Sequence, residues 1–384
     1  MKNNILFFLS HQPNPRFIKQ INFLANENNI FLVYFERENS VPTLLESLNN
    51  SVVVYNIGSI KNFKVKPNFK DYFERLSVYK NALSFIRKLN KLNNFKIILI
   101  NNIDMLFIYV LSTLGLENNK KIFTIEISDL QEYVFYKSLP SKLVRQFERL
   151  LFKLYIDKLI VTSKKYYDFH YSKFFKKDLF VLENKILSTE ICIPNKKFKR
   201  TNTDNKLIVG IVGLLIRKEE YIKLFETYKN STDVDIHIYG TGPFQYIVEN
   251  YAEKYSNICY FGKYNLFLDS YNIYNSIDII YVVYDNDLVS KNNKLALPNK
   301  LYEAMYFKVP LICSSETYLE EIVTDLGIGI GINYNIKGQI ECAVKKLKKD
   351  KSKIITNFNK IPNDNFIADN DYIKFSNFLK RKSK

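Results

Sequence analysis

Short apolar runs alternate along this chain with longer stretches whose apolar residues recur every third or fourth position. The runs Ile5–Leu9, Ile30–Phe35, Val52–Tyr55, Ile97–Ile100, Ile122–Ile127 and Leu159–Thr162 predict buried strands, being too short and too evenly apolar for surface helices. Between them, Pro15–Asn26, Tyr72–Leu92, Met105–Leu114 and Ser141–Tyr155 carry helical periodicity. A second alternation begins at Leu207–Val212 and continues through Asp235–Tyr239, Ile258–Phe261, Ile279–Val283 and Val309–Cys313. Apolar strands separated by helices imply parallel sheets covered on both faces. The expected fold is therefore α/β, with two doubly wound, Rossmann-like domains in tandem. At 384 residues the chain is also too long for one core.

The two alternations place the first domain at residues 1–193 and the second at 207–350. Residues 194–206 form a polar, basic, aperiodic linker. Residues 351–384 read as a helical tail that could cross back to the first domain. Folds of this type bind ligands at the carboxyl ends of their strands, so a central cleft faced by both domains is the expected ligand site.

Composition narrows the class only moderately. Hydrophobic residues make up 47% and charged residues 25%, which fits a globular protein and argues against general disorder. The net charge of +17 favours anionic partners such as nucleotide diphosphates or anionic headgroups, although a bias toward lysine codons has the same effect. Cys192, Cys259, Cys313 and Cys342 are too scattered for a zinc site or a disulfide framework. The apolar run after Met1 is short and lacks a small-residue cleavage site, so it reads as a first strand rather than a signal peptide. No run approaches the roughly 20 apolar residues of a membrane span. A cytoplasmic protein, at most peripheral at the inner face of a membrane, is expected.

Three segments of the second domain carry candidate chemistry. Leu207–Val212 is followed by Gly213, Arg217 and Lys218, where a glycine at a strand end admits a ligand to the backbone and the cations suit a diphosphate. Asp235–Tyr239 ends in Gly240-Thr241-Gly242-Pro243, a turn whose glycines could let a base or phosphate pack on bare backbone. Pro298-Asn299-Lys300-Leu301-Tyr302-Glu303 reads as a helix start. Pro298 suits its first turn, Asn299 and Lys300 lie beside free N–H groups, and Glu303 follows one turn later on the same face. An ordinary turn, or a surface Lys–Glu pair, has the same local signature in each case.

The order of these landmarks, closed by Val309-Pro310-Leu311-Ile312, resembles the nucleotide-binding domain of retaining GT-B glycosyltransferases of family four. Within that family it is most similar to the branch with a P-N-K-x-x-E helix start, which serves surface polysaccharide biosynthesis. In the first domain, Ser10 to Arg16, Glu126 to Asp129, Val161 to Ser163 and Asn184 resemble further landmarks, so the likeness covers most of the chain. It implies transfer of a hexose-type sugar from a nucleotide-diphosphate donor to a carbohydrate or lipid-linked acceptor. The donor site would comprise Gly213, Arg217, Lys218, Gly240, Thr241, Gly242, Pro243, Pro298, Asn299, Lys300 and Glu303. In it Arg217 and Lys300 would neutralise the diphosphate and Glu303 would hold the ribose. The position where many relatives carry a second glutamate is Leu295, and a glycine-rich acceptor loop is replaced by His11 to Pro15.

Polar acceptor-side candidates are His11, Arg16, Glu126 and Asp129, with His11 and Glu126 also candidates for the chemistry itself. Arg16 could equally open its helix with a salt bridge, and Asp129 could cap the next one. No cofactor or metal is expected; Asp285-Asn286-Asp287 has metal-motif spacing but reads as a solvated turn. Leu143, Phe147, Leu150, Leu151 and Leu154 share one face of the predicted helix at Ser141–Tyr155, with Lys142, Arg145, Arg149 and Lys153 largely elsewhere. Such a helix can lie on an anionic membrane, but covering a parallel sheet is the commoner use of the pattern. Rival readings are a sugar-nucleotide epimerase of the same architecture and a non-catalytic nucleic-acid-binding protein. The second lacks any recognisable binding motif, and no nucleic-acid partner is expected.

Overall fold

The computed structural model describes residues 2–37, 42–60, 69–116, 121–193, 206–284 and 291–381. The chain divides into two compact units, residues 1–182 with 371–384, and residues 183–370.

The first unit is built on seven strands: β1 (Asn4–Leu9), β2 (Asn29–Arg37), β3 (Val53–Ile60), β4 (Ile97–Ile100), β5 (Ile122–Ile127), β6 (Lys158–Val161) and β7 (Asp178–Val181). All are parallel, in the order β3-β2-β1-β4-β5-β6-β7. Helices α1 (Pro15–Ala25), α2 (Phe69–Leu92), α3 (Ile103–Thr113), α4 (Leu139–Tyr155) and α5 (Lys164–Phe169) connect them. Ile5 through Leu9 and Ile97 through Ile100 are wholly buried, as central strands covered on both faces must be. β7 escaped the sequence reading because its short Asp-Leu-Phe-Val run borders lysines and has no clean apolar edge.

The second unit repeats the plan with β8 (Leu207–Val212), β9 (Val234–Tyr239), β10 (Ile258–Tyr260), β11 (Ile279–Val282), β12 (Leu311–Ser314) and β13 (Gly329–Ile332). Their order is β10-β9-β8-β11-β12-β13, again with parallel pairing. The helices here are α6 (Glu219–Tyr228), α7 (Gln245–Lys254), α8 (Leu266–Ser276), α9 (Lys291–Leu295), α10 (Asn299–Phe307), α11 (Tyr318–Asp325), α12 (Gln339–Lys349) and α13 (Lys351–Lys360). β13, Gly-Ile-Gly-Ile, was hidden by its glycines, one of which takes the place of a side chain against Leu311 of β12. In both sheets the strand order reverses beside the first strand, at β1/β4 and at β8/β11. Such a reversal opens a crevice at the carboxyl ends of the strands.

The expected linker, residues 194–206, lies outside the described residues except for Lys206. The division between units comes earlier, after Leu182, because the following segment joins the second unit. Ile186 bridges Ile367, and the Cys192 N–H donates to the Phe267 carbonyl at 3.1 Å. The expected tail does not behave as one piece. Ile354 and Phe358 of α13 enter the second core, whereas α14 (Asp369–Lys380) packs on the first unit from Asp371 onward. The buried Lys158 of β6 donates to the carbonyls of Phe378, Leu379 and Arg381 at the end of α14, where a cation meets the negative end of the helix dipole.

Candidate functional site

In the second unit, the end of β8 and the start of α10 come together at the β8/β11 reversal. Gly213 has a φ of +130°, and a Cβ placed on it would stand 3.4 Å from Cε of Lys300. The lysine stem therefore crosses the glycine that ends β8. Its ammonium lies 2.6 Å from Oε2 of Glu303 and 3.4 Å from the hydroxyl of Tyr264, and 5.9 Å from the ring centroids of both Tyr264 and Tyr274. Burial works against the charge on Lys300, but Glu303 and Tyr264 outweigh it and raise its pKa above the ordinary 10.5. Lys300 is thus a firmly charged cation. An ammonium has three donors, so a phosphate oxygen can be bound without releasing both partners.

Glu303 lies almost wholly buried under this lysine, and the Tyr274 hydroxyl donates to its Oε2. Burial and the neighbouring Glu303 charge raise the Tyr274 pKa well above 10. The tyrosine therefore stays a donor. Arg217 and Lys218, adjacent in sequence, lie in different surroundings. The Arg217 guanidinium carbon sits 4.6 Å from the ring centroid of Tyr284, just beyond β11, with its Nε buried and without a hydrogen-bond partner. Lys218 is half-exposed, 3.9 Å from Glu219. Arg217 is the better-placed cation.

Pro298 caps α10 from outside rather than occupying its first turn, with φ −75° and ψ 152°, and no side chain caps that end. Asn299 and Lys300 hold the first turn as expected, and Asn299 accepts from the Asn184 amide at 2.6 Å. Leu295 closes α9.

The glycines of the Gly240–Pro243 segment pack closely against the loop that follows β8. A Cβ on Gly240 would stand 1.7 Å from the Gly213 carbonyl oxygen, and one on Gly242 would stand 2.7 Å from backbone atoms of Leu215. The Gly213 N–H donates to Tyr239 at 2.8 Å, Leu215 to Thr241 at 2.9 Å, and Phe244 to Leu215 at 3.0 Å. These glycines interlock two loops and fix Gly213 at the edge of the site. Thr241 is half-buried and Pro243 exposed at the rim of the same turn.

The first unit places its candidates in two separate clusters. His11, at the end of β1, donates from Nδ1 to the Gln12 carbonyl at 2.7 Å and accepts at Nε2 from Asn101 at 3.1 Å, the tautomer this network assigns. Burial lowers its pKa below 6.5, the Gln12 contact opposes this, and the Arg37 charge adds to it. Asn101 and Asn102, just past β4, also bind the Ser10 hydroxyl at 3.2 and 2.8 Å, so the β1/β4 crevice is lined by fixed amides.

Glu126, expected to face an acceptor, is instead fully buried. It is ion-paired with Arg16 in the first turn of α1 and accepts from the Gln20 amide at 3.0 Å. Burial raises its pKa, against the pull of Arg16 and Gln20. Asp129 is exposed and accepts from the Tyr166 hydroxyl at 3.3 Å. Sequence reasoning missed Tyr264, Tyr274, Tyr284 and Asn101; among 28 tyrosines, three at scattered spacing carry no signal. Among the described residues, no cluster of His, Cys, Asp and Glu could hold a metal ion, and Asp285 to Asp287 lie outside them.

No family model matches the sequence, and no curated protein sequence matches it. The fold is nevertheless that of the GT-B glycosyltransferases, two doubly wound parallel sheets in one chain. HepE of Anabaena, solved in complex with UDP, is 13% identical with a TM-score of 0.69 over 99% of each chain. The lipopolysaccharide outer core galactosyltransferase WaaB is 12% identical, with a TM-score of 0.64 over 98% of this chain and 99% of that one. A protein from Listeria monocytogenes assigned as a UDP-N-acetylglucosamine 2-epimerase is 13% identical, with a TM-score of 0.60 over 100% of this chain and 98% of that one. At these identities the likeness establishes the architecture alone.

Proposed function

We propose that the protein is a nucleotide-sugar-dependent glycosyltransferase. It would move a hexose-type sugar, with retention, to a carbohydrate or lipid-linked carbohydrate in surface glycan assembly at the cytoplasmic face of a membrane. The observation that carries the reading is the convergence of Gly213, Arg217, Lys300 and Glu303 on the crevice between β8 and β11.

In the reaction, the bond from the anomeric carbon to the diphosphate oxygen breaks and its electron pair leaves with the diphosphate. The acceptor hydroxyl oxygen bonds to that carbon and gives up its proton to the departing diphosphate. Charge develops on the leaving group, so fixed cations aimed at it do the most to lower the barrier. Lys300, Arg217 and the uncapped start of α10 supply that charge without a resident metal. In this reading Glu303, held by Tyr274 and Lys300, accepts hydroxyl hydrogen bonds from the ribose. Tyr284, under the Arg217 guanidinium, keeps that cation in place. His11, neutral and fixed by Asn101, serves the acceptor side.

UDP is the first donor nucleotide to test, since HepE has been solved with it. A panel of nucleotide sugars, read by released nucleotide with and without candidate acceptors, tests the reading; no turnover of any donor would remove it. The likeness to the Listeria protein supports a second reading, epimerisation of a nucleotide sugar. Formation of an isomeric nucleotide sugar with no acceptor present would establish that alternative.

A further inference from the structure

Helix α4 is rotated so that Leu143, Phe147, Leu150 and Leu154 of its apolar stripe point out of the first unit, while Leu151 stays buried beside Phe152. Glu148, fully buried, shares that inward side. It accepts from the Tyr133 hydroxyl at 2.8 Å and the Tyr171 hydroxyl at 3.3 Å, and lies 2.6 Å from Nε2 of His170. Turning the helix would strip a buried carboxylate of three partners, so this network sets its rotation.

The consequence is on the surface. Leu143, Leu150 and Leu154 are 62%, 51% and 58% exposed. Phe147 packs edge-on against Phe107 of α3 with ring centroids 5.3 Å apart, and Leu111 prolongs the same surface along α3. Scattered exposed leucines are ordinary, but a face shared by two helices is a binding surface. Along one side of the stripe run Lys142, Arg149 and Lys153, the two lysines exposed and the Arg149 guanidinium lying over the Phe174 ring, 5.6 Å from its centroid.

Cations beside an outward apolar stripe are the two terms that hold a helix in a membrane interface. A second copy of this chain would cover the leucines but bring another +17 against these cations. A nucleic acid would satisfy the cations and leave the leucines wet.

We propose that the α3–α4 face docks on the surface of an anionic lipid bilayer. Leu143, Phe147, Leu150 and Leu154 enter the acyl boundary, and Lys142 and Lys153 meet headgroup phosphates. This names the surface for the peripheral contact in the functional reading above; it rests on that part of the reading and on no catalytic assignment.

Flotation of the full chain with phosphatidylcholine vesicles, with and without phosphatidylglycerol, tests it. The parent should float with the anionic vesicles, and less at high salt. Leu150→Glu with Leu154→Glu should weaken binding about tenfold or more. Lys142→Glu with Lys153→Glu should weaken it by about fivefold per cation. Both variants should keep the parent melting temperature and its nucleotide release from a soluble donor. Equal floating of parent and leucine variant would overturn the proposal. So would a dimer abolished by Leu150→Glu, or salt-dependent binding to RNA, with no vesicle binding. Loss of nucleotide release in every form, with vesicle binding intact, would count against the enzyme reading alone.

Discussion

Each unit sets a cation and a carboxylate together near the carboxyl edge of its sheet, and the two pairs live in different surroundings. Arg16 and Glu126 are sealed, with side-chain exposures of 6% and 0%. Nε of Arg16, Oε2 of Glu126 and Oε1 of Gln20 are buried there without hydrogen-bond partners. Lys300 and Glu303 stand at 16% and 6%, with the lysine under Tyr264 and its carboxylate anchored below by Tyr274. The first arrangement is a strut between α1 and β5. In the second, the carboxylate is fixed from inside while the cation keeps access to solvent. Ion pairs of the same chemistry thus differ in what they can do through burial and the direction of their spare donors.

The sharpest way to break this contrast is to remove one member of each pair. Glu126→Ala leaves a buried, unpaired guanidinium and should destabilise the first unit by about 3–5 kcal/mol, seen as a lower urea midpoint. Unchanged stability with lost turnover would instead make Glu126 a working group. Lys300→Ala should act mainly on the reaction, lowering nucleotide release by about 10²–10³-fold with a smaller change in melting temperature. A loss of stability as large as that from Glu126→Ala would make the two pairs equivalent.

Smaller effects sharpen the picture of the second pair. Gly240→Ala would drive a Cβ to 1.7 Å from the Gly213 carbonyl at a φ of +143°, so it should cost about 1–3 kcal/mol and weaken donor binding by moving Gly213. Arg217→Lys keeps the charge but loses planar stacking on Tyr284; roughly 1 kcal/mol, near a fivefold drop in kcat/KM, is expected. The smallest effect concerns pH. Because burial lowers the folded-state pKa of His11, the unfolded chain binds the extra proton first as pH falls below 6.5. Stability should therefore decline from about pH 6.5 down through the folded pKa, and His11→Gln should flatten that part of the melting profile.

Most of the fold was legible in the chain. The apolar runs at Ile5–Leu9, Ile97–Ile100 and Leu207–Val212 are central parallel strands, and their spacing carried the doubly wound plan. Strands marked by glycine or bordered by lysine, β13 and β7, were not legible, because their sheet positions depend on partners rather than on their own residues. In the site, Lys300 and Glu303 at one-turn spacing could be read directly, since helix geometry is local. The tyrosines around them could not, because Tyr264, Tyr274 and Tyr284 meet only through the folding of separate segments.

The clearest division falls on α4. Periodicity alone determined that Ser141–Tyr155 is an amphipathic helix, observed as Leu139–Tyr155, and which residues share its apolar stripe. It could not determine which way that stripe faces. A leucine face is satisfied by any apolar medium, whether a sheet or an acyl layer, so hydrophobicity alone does not choose a direction. Only the tertiary structure, by gathering Tyr133, His170 and Tyr171 around Glu148, makes the carboxylate side the one that must be buried and turns Leu143, Leu150 and Leu154 outward.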